Sequence, residues 1–417
     1  MKLVDHLPLV RGAPTTASPA RVTTILHDVR DRGDSALRDW SEQLDRGIPP
    51  AWTVPHEVLE AAWNGLPQAD RDALDHAARN IRAFAEAQRK TLQPMEMEIE
   101  PGVFAGQRVV PVDRVACYVP GGRYPLPSTV LMTVIPALAA GVPHVVVLTP
   151  PKQNGWPDPH ILAAAFRAGA TAVHPVGGAQ GIAAAAYGTE SIAPVDLIVG
   201  PGNSWVTEAK RQVYGIVGID ALAGPSEVMV LCDAHADVAT VAADLLAQAE
   251  HDPDAEALAV TDDADFAQKL AAEVHRQLDL LPTRDVAAQS IVKHGRIVVV
   301  ADRAAMVELA NERAPEHLEI VTADAEALAA QCTSYGGLFI GHDAAEVLGD
   351  YCTGPSHVLP TGRAGRYTGG LSALTFLKVL STQRALPGAA QGLARTAAHL
   401  ARVEGLEAHA RAAEQRK

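Results

Sequence analysis

The sequence predicts an α/β protein: two doubly wound, Rossmann-like domains, preceded by a helical N-terminal part and followed by a short helical C-terminal extension. Three observations predict it. Short apolar runs recur at 115–119, 145–148, 172–176, 197–199, 228–231, 257–260, 297–300, 318–321 and 338–340. Most alternate with Ala-rich stretches of helical texture, the pattern of buried, largely parallel sheet. The runs fall into two groups that break near Gly224, and 417 residues suffice for about two or three domains.

Taken in order, the first 15 residues, rich in Pro, Thr and Ser, are expected to form an N-terminal arm. Over 22–45, Ile25, Val29, Leu37, Trp40 and Leu44 stand among charges at helical spacing, and Gly33 divides the stretch into two helices. Residues 58–89 read as further helix. The expected first α/β domain is discontinuous, 16–117 plus 228–365, and the second covers 118–227. Residues 366–417 form the extension, whose tail, 390–417, reads as helix with Leu393, Ala397, Leu400 and Val403 on one stripe.

Composition narrows the function classes. With 48% hydrophobic and 20% charged residues the chain can build a full core. The net charge of −14 argues against general affinity for nucleic acid or an anionic membrane, which needs clustered Lys and Arg. The apolar stretch 130–142 is broken by Thr133 and Pro136 and is too short to span a bilayer. The start lacks the apolar core and cleavage site of a secretory signal, so a cytoplasmic protein is expected. Cys117, Cys232, Cys332 and Cys352 form no C-x-x-C pair and read as structural.

Four constellations could carry chemistry. The helix over 237–251 ends in Gln248 and His251, which are three apart and share a face, so an amide oxygen and an imidazole could reach one metal ion. By itself, a His at a helix C-terminus is more simply a partner of the helix dipole. In Ala314-Pro315-Glu316-His317, two titratable groups meet at a helix-to-strand turn, where a carboxylate can activate water and an imidazole can take a proton. A surface Glu-His pair is the simpler reading of that motif in isolation. The segment 349–357 reads as a Gly-bounded loop in which Asp350 offers a hard anionic ligand and His357 a substrate contact, or in which Asp and Gly only shape a turn. In the tail, Gly405 breaks the helix beside Glu404 and His409, and His409 matters only if a partner subunit meets it.

Three glycine turns complete the signal. Pro120-Gly121-Gly122, 177–181 and Gly200-Pro201-Gly202-Asn203 each follow an apolar run, at junctions where free backbone N–H groups can meet a phosphate. None matches G-x-G-x-x-G, yet three within a hundred residues make a nucleotide crevice plausible.

Eight motifs now stand in one order: YVPGGRYPLPSTV, VGGAQGIAAAAYGTE, VGPGNSWVTEAKRQV, AGPSEV, DLLAQAEHDP, APEHLEI, GDYCTGPSHVLPT and EGLEAHARA. In combination the chain resembles the histidinol dehydrogenase family from about residue 22 to its end. The resemblance implies the aldehyde-dehydrogenase-like version of the paired Rossmann fold, one Zn2+ per subunit, and NAD. It implies Gln248, His251, Asp350 and His409 as zinc ligands and Glu316 and His317 as the acid–base pair. It further implies Ser226, Gln248, His251, His317, Asp350, His357, Glu404 and His409 as substrate contacts, and Tyr118, Gln180 and Asn203 as NAD contacts. The implied reaction is oxidation of L-histidinol to L-histidine through bound histidinal, closing histidine biosynthesis. The implied assembly is a homodimer in which the tail of one subunit completes the site of the other.

The start is shorter than in many members of that family, which bears on dimer contacts more than on chemistry. Same-fold relatives oxidise other small polar alcohols, including a sulfonated propanediol, and that is the alternative substrate class. A catalytically silent nucleotide-binding or scaffold protein is the alternative outside enzymes. It would be expected to lack the polar set, whereas Gln248, His251, Glu316, His317, Asp350 and His409 are all present.

Overall fold

The chain opens with strand β1 (Lys2–Val4), followed by helices α1 (Pro19–Arg32), α2 (Asp34–Leu44), α3 (His56–Gly65) and α4 (Gln68–Thr91). Strands β2 (Met95–Glu100), β3 (Val103–Pro111) and β4 (Arg114–Tyr118) come next. A first alternating run follows: α5 (Pro127–Ala140), β5 (His144–Thr149), α6 (Pro159–Ala168), β6 (Ala172–Pro175), α7 (Gly178–Tyr187), β7 (Leu197–Val199), α8 (Ser204–Val213) and β8 (Gly218–Ile219). A second comprises β9 (Glu227–Cys232), α9 (Val238–Ala249), β10 (Glu256–Thr261), α10 (Ala264–Leu278), α11 (Arg284–Lys293), β11 (Arg296–Val299), α12 (Arg303–Arg313), β12 (His317–Val321), α13 (Ala325–Ala329), β13 (Gly337–Ile340) and α14 (Glu346–Tyr351). The chain closes with β14 (Leu377–Ala385), α15 (Gln391–Val403) and α16 (Glu407–Glu414). This is a computed structural model, and it describes residues 1–4, 17–121 and 124–416.

The two groups of apolar runs become two parallel sheets. One is five-stranded, in the order β6-β5-β4-β7-β8, and the other six-stranded, in the order β1-β11-β10-β9-β12-β13. Each winds outward in both directions from a central pair, β4/β7 in the first and β9/β12 in the second. All nine apolar runs are strands, because both faces of each sheet are covered and nearly every position along them is apolar. In β4, Val115 and Cys117 face a core with α3 to α6, while Ala116 and Tyr118 face another with α1, α2, α7 and α8.

That packing corrects the expected grouping of the chain. The N-terminal helices α1 to α4 cover the five-stranded sheet, so they pack with it rather than with 228–365. The expected arm begins with an edge strand: Lys2–Val4 pairs in parallel with Arg296, Ile297 and Val298. Residues 5–15 of that arm lie outside the described residues.

A three-stranded antiparallel sheet, β14-β3-β2, was not expected. It joins two segments some 270 residues apart, and β2 is exposed along its whole length, so it lacks the apolar runs that mark the parallel strands. The extension is therefore part strand, and Gly405 (φ +79°) divides its tail into two helices. Leu393, Leu400 and Val403 of the tail stripe are exposed, while Ala398, Ala401 and Ala410 pack between α15 and α16. Among the described residues no helix is long and apolar enough to cross a membrane.

Candidate active site and metal centre

Two strand starts meet at the amino end of the six-stranded sheet. His317 begins β12, opposite Val228 of β9, and Glu316 precedes it. The left-handed Ala314 (φ +47°) closes α12 and turns the chain into β12. The backbone of Glu227 grips both residues: its N–H donates to Oε2 of Glu316 at 2.9 Å, and its carbonyl lies 3.1 Å from Nδ1 of His317. A carbonyl only accepts, so Nδ1 carries a proton and Nε2 is the ring nitrogen left to exchange one.

The opposite end of this sheet is filled. Arg303 pairs with Asp233, Asp262 and Asp324 where β9, β10 and β12 end. The crevice in which open α/β sheets usually bind ligands is thus occupied by the protein's own charges, and the polar cluster lies at the other rim.

Helices α9 and α14 add the remaining groups. Asp237 caps α9 by accepting from the N–H of Thr240, and Gln248 and His251 sit at the other end of that helix. Glu346 and Asp350, four apart on α14, share a face. Nε2 of His317 is 3.6 Å from Oδ1 of Asp350, and Nδ1 is 3.8 Å from Oε1 of Glu346. Potential ligand atoms of His251, Glu346 and Asp350 lie within 4.8 Å of one another. A Cβ on Gly349 would come 2.6 Å from the ring of Phe339, whose centroid is 6.1 Å from that of His317, so glycine lets α14 lie this close.

The electrostatics of this cluster are unbalanced. Burial pushes Glu316 up to about 8, with His317 only partly opposing it. Burial also holds Glu346 well above the usual carboxylate range, and Asp350, Glu319 and Glu316 add to the effect. For His317 burial works against the imidazolium, but Glu346, Glu316 and Asp350 outweigh it and raise the ring well above its ordinary value. Several buried carboxylates gathered in one place favour a further positive charge. Gln248 is fully buried, and neither atom of its amide has a hydrogen-bond partner. Such a vacant amide beside an imidazole and carboxylates fits a borderline divalent cation such as zinc.

The structure therefore brings together Glu316, His317, His251 and Asp350, with Gln248 on the last turn of α9. Asp350 lies on a short helix, not in the expected loop; six residues are too few to show a period. His357 joins the cluster, with Nδ1 2.9 Å from the carbonyl oxygen of Asp350 and Nε2 3.1 Å from the hydroxyl of Thr129. Ser226 lies just before β9, its carbonyl accepting from Glu256. Glu404 and His409 are exposed on the tail, which packs on itself within this chain. Glu346, Glu319 and Glu227 were missed. The Glu346/Asp350 spacing signals one face only once the helix is known.

The glycine turns gather at the carboxyl end of the five-stranded sheet. Tyr118 ends β4 and its hydroxyl accepts from Gly178 at 3.1 Å, while Asn203 caps α8 beyond β7. Gly200 (φ +108°) crosses Tyr118 so closely that a Cβ would meet its carbonyl at 2.2 Å. Gln180 is buried and donates to Asp45 at 3.2 Å. Gly122 of the first turn lies outside the described residues. All four cysteines are free.

The model of the family described as histidinol dehydrogenase matches residues 12–417. Histidinol dehydrogenase of Chromobacterium violaceum is 44% identical over 97% of this chain and 93% of its own. That of Geobacillus kaustophilus is 44% identical over 95% and 93%. The crystal structure of histidinol dehydrogenase from Elizabethkingia anophelis superposes with a TM-score of 0.94 at 33% identity, covering 100% of this chain and 98% of that one. An acetylating aldehyde dehydrogenase from Geobacillus thermoglucosidasius shares the fold alone, with a TM-score of 0.51 at 14% identity over 89% of this chain and 93% of its own. With the family model matching residues 12–417 and relatives 44% identical over nearly the whole length, this chain belongs to the histidinol dehydrogenase family.

Proposed function

We infer that the protein oxidises L-histidinol to L-histidine with two molecules of NAD, through bound histidinal, at the end of histidine biosynthesis. The observation that carries this reading is the meeting of His251, Glu346 and Asp350 beside Glu316 and His317, in a chain of this family. Gln248, His251 and Asp350, with His409 of a second copy, are the residues to hold zinc. Zinc held there would supply positioning, fixing the substrate in one orientation.

The protein's own groups then divide the work. His317, with Nδ1 tied to the Glu227 carbonyl, takes the alcohol proton at Nε2 as hydride leaves. Glu316 takes a proton from the water that hydrates the aldehyde, and a second hydride leaves the hydrate. Ser226, His357 and Glu404 are assigned to substrate, and Tyr118, Gln180 and Asn203 to NAD. The turns bearing these last three end the strands of a second doubly wound sheet, where such folds hold nucleotides.

A homodimer with shared sites accounts for the tail. Met95, Met97, Ile99, Val379 and Leu380 of the antiparallel sheet are exposed, as are Leu400 (54%) and Val403 (73%) of α15. Exposed apolar area of this kind marks an interaction surface. A second copy covering it would bring His409 and Glu404 to the site of its partner. The substrate and the biosynthetic role point to the cytoplasm.

The experiment is a count of NADH formed per L-histidinol, set against a panel of small polar alcohols. Two NADH per L-histidinol is expected. One or none overturns this reading, and a preference for a sulfonated propanediol moves the protein to the alternative substrate class.

A further inference from the structure

Glu319 stands two residues after His317 on β12, on the same face of the strand. That face packs against α9, since Val321 shares a core with Val241 and Leu245 while Leu318 and Ile320 face the other way. On α9, Asp244 lies one turn before Gln248. A second polar layer, Glu319 and Asp244, thus lies one step beneath the layer of His317 and Gln248. Glu319 is fully buried in the middle of a parallel sheet, where a carboxyl group is costly unless it is used.

Its use is visible in one hydrogen bond. Oε1 of Glu319 accepts from the backbone N–H of Glu346 at 2.6 Å. Glu346 is the first residue of α14, and the preceding Ala345 has no side chain with which to cap it. A six-residue helix is too short to hold itself in place, and α14 carries both Glu346 and Asp350. We propose that Glu319 is a positioning residue: its buried oxygen caps α14 and so keeps Asp350 and Glu346 in register with His317 and His251. The cap asks of Glu319 an acceptor oxygen rather than a charge, and an amide oxygen can serve as well.

The inference rests on the zinc reading above, and the test separates the two. Zinc affinity is measured by competition with a chromogenic chelator, on proteins whose fold is checked by circular dichroism. Glu319→Gln keeps an acceptor of the same reach and is expected to hold zinc about as tightly as the unmodified protein. Glu319→Leu keeps the bulk without the acceptor and is expected to weaken zinc binding by about 10–100-fold, the range for groups that orient metal ligands. NAD affinity is expected to be unchanged in both, since the NAD turns lie on the other sheet. Zinc binding by Glu319→Leu at full strength, or equal loss in Glu319→Gln, overturns the proposal.

If Glu319→Leu does not fold, amide exchange on the unmodified protein decides. The Glu346 N–H is expected to be strongly protected, and exchange as fast as in an uncapped first turn overturns the proposal. Failure of the unmodified protein to bind zinc refutes the functional reading instead, and the same exchange measurement still decides the cap.

Discussion

The carbonyl oxygen of Glu227 lies 3.1 Å from Nδ1 of His317, and this contact decides which ring nitrogen is available for chemistry. The arrangement needs no side chain of Glu227, because neighbouring parallel strands offer their backbone at fixed spacing. The Glu227 side chain serves elsewhere, accepting from Gly362 and pairing with the buried Arg313.

His317→Asn removes the group assigned to the alcohol proton. The expected result is a kcat lower by about 100- to 10,000-fold, the usual worth of a positioned general base. Zinc content is expected to stay at that of the unmodified protein, since His317 is not assigned as a ligand. Steady-state kinetics with metal analysis on the same preparation checks both.

Replacing Gln248, His251 or Asp350 by Ala is expected to weaken zinc binding by more than the about 10–100-fold typical of groups outside the first coordination shell. NAD binding is expected to be unaffected. Chelator competition and NADH fluorescence read the two effects separately.

Subunits carrying His409→Ala and subunits carrying Glu316→Ala are each expected to be inactive. Mixed after dissociation, they are expected to recover roughly a quarter of full activity, because half of random dimers are hybrids and each hybrid has one intact site. Hybrids shown to form without recovered activity would remove the shared-site arrangement.

Metal-free protein is expected to lose stability as pH rises. Glu316 and Glu319 are pushed up to about 8 and Asp244 to about 6, burial being the leading cause in each case. Between the ordinary carboxylate range and about pH 8 the unfolded chain releases these protons while the folded chain keeps them, so folding weakens across that window. Added zinc is expected to offset the loss most at the upper end, where it binds against ionised carboxylates. Thermal midpoints between pH 5 and 8, with and without zinc, test this. A flat metal-free profile would contradict it.

The parallel sheets were legible because strands buried on both faces must be continuously apolar, so runs such as 228–231 and 257–260 carry their own signature. Gly33 and Gly405 were legible as helix breaks for a local reason, their backbone conformation. The edge strand Lys2–Val4 and the sheet β14-β3-β2 were not, since exposed or edge strands need no apolar run and β14 pairs with a segment some 270 residues away. The N-terminal helices showed their apolar stripes but not which sheet those stripes cover.

The sequence by itself determined the fold class, the family and the identity of the polar groups, because periodicity, turn residues and motif order are local properties of the chain. Only the tertiary structure decided that Glu227 orients His317 through its backbone, that Glu346 and Asp350 share a face opposite it, and that Glu319 caps their helix. Those relations come from strand register and helix packing, which set distances between residues up to about a hundred positions apart and leave no local mark in composition or spacing.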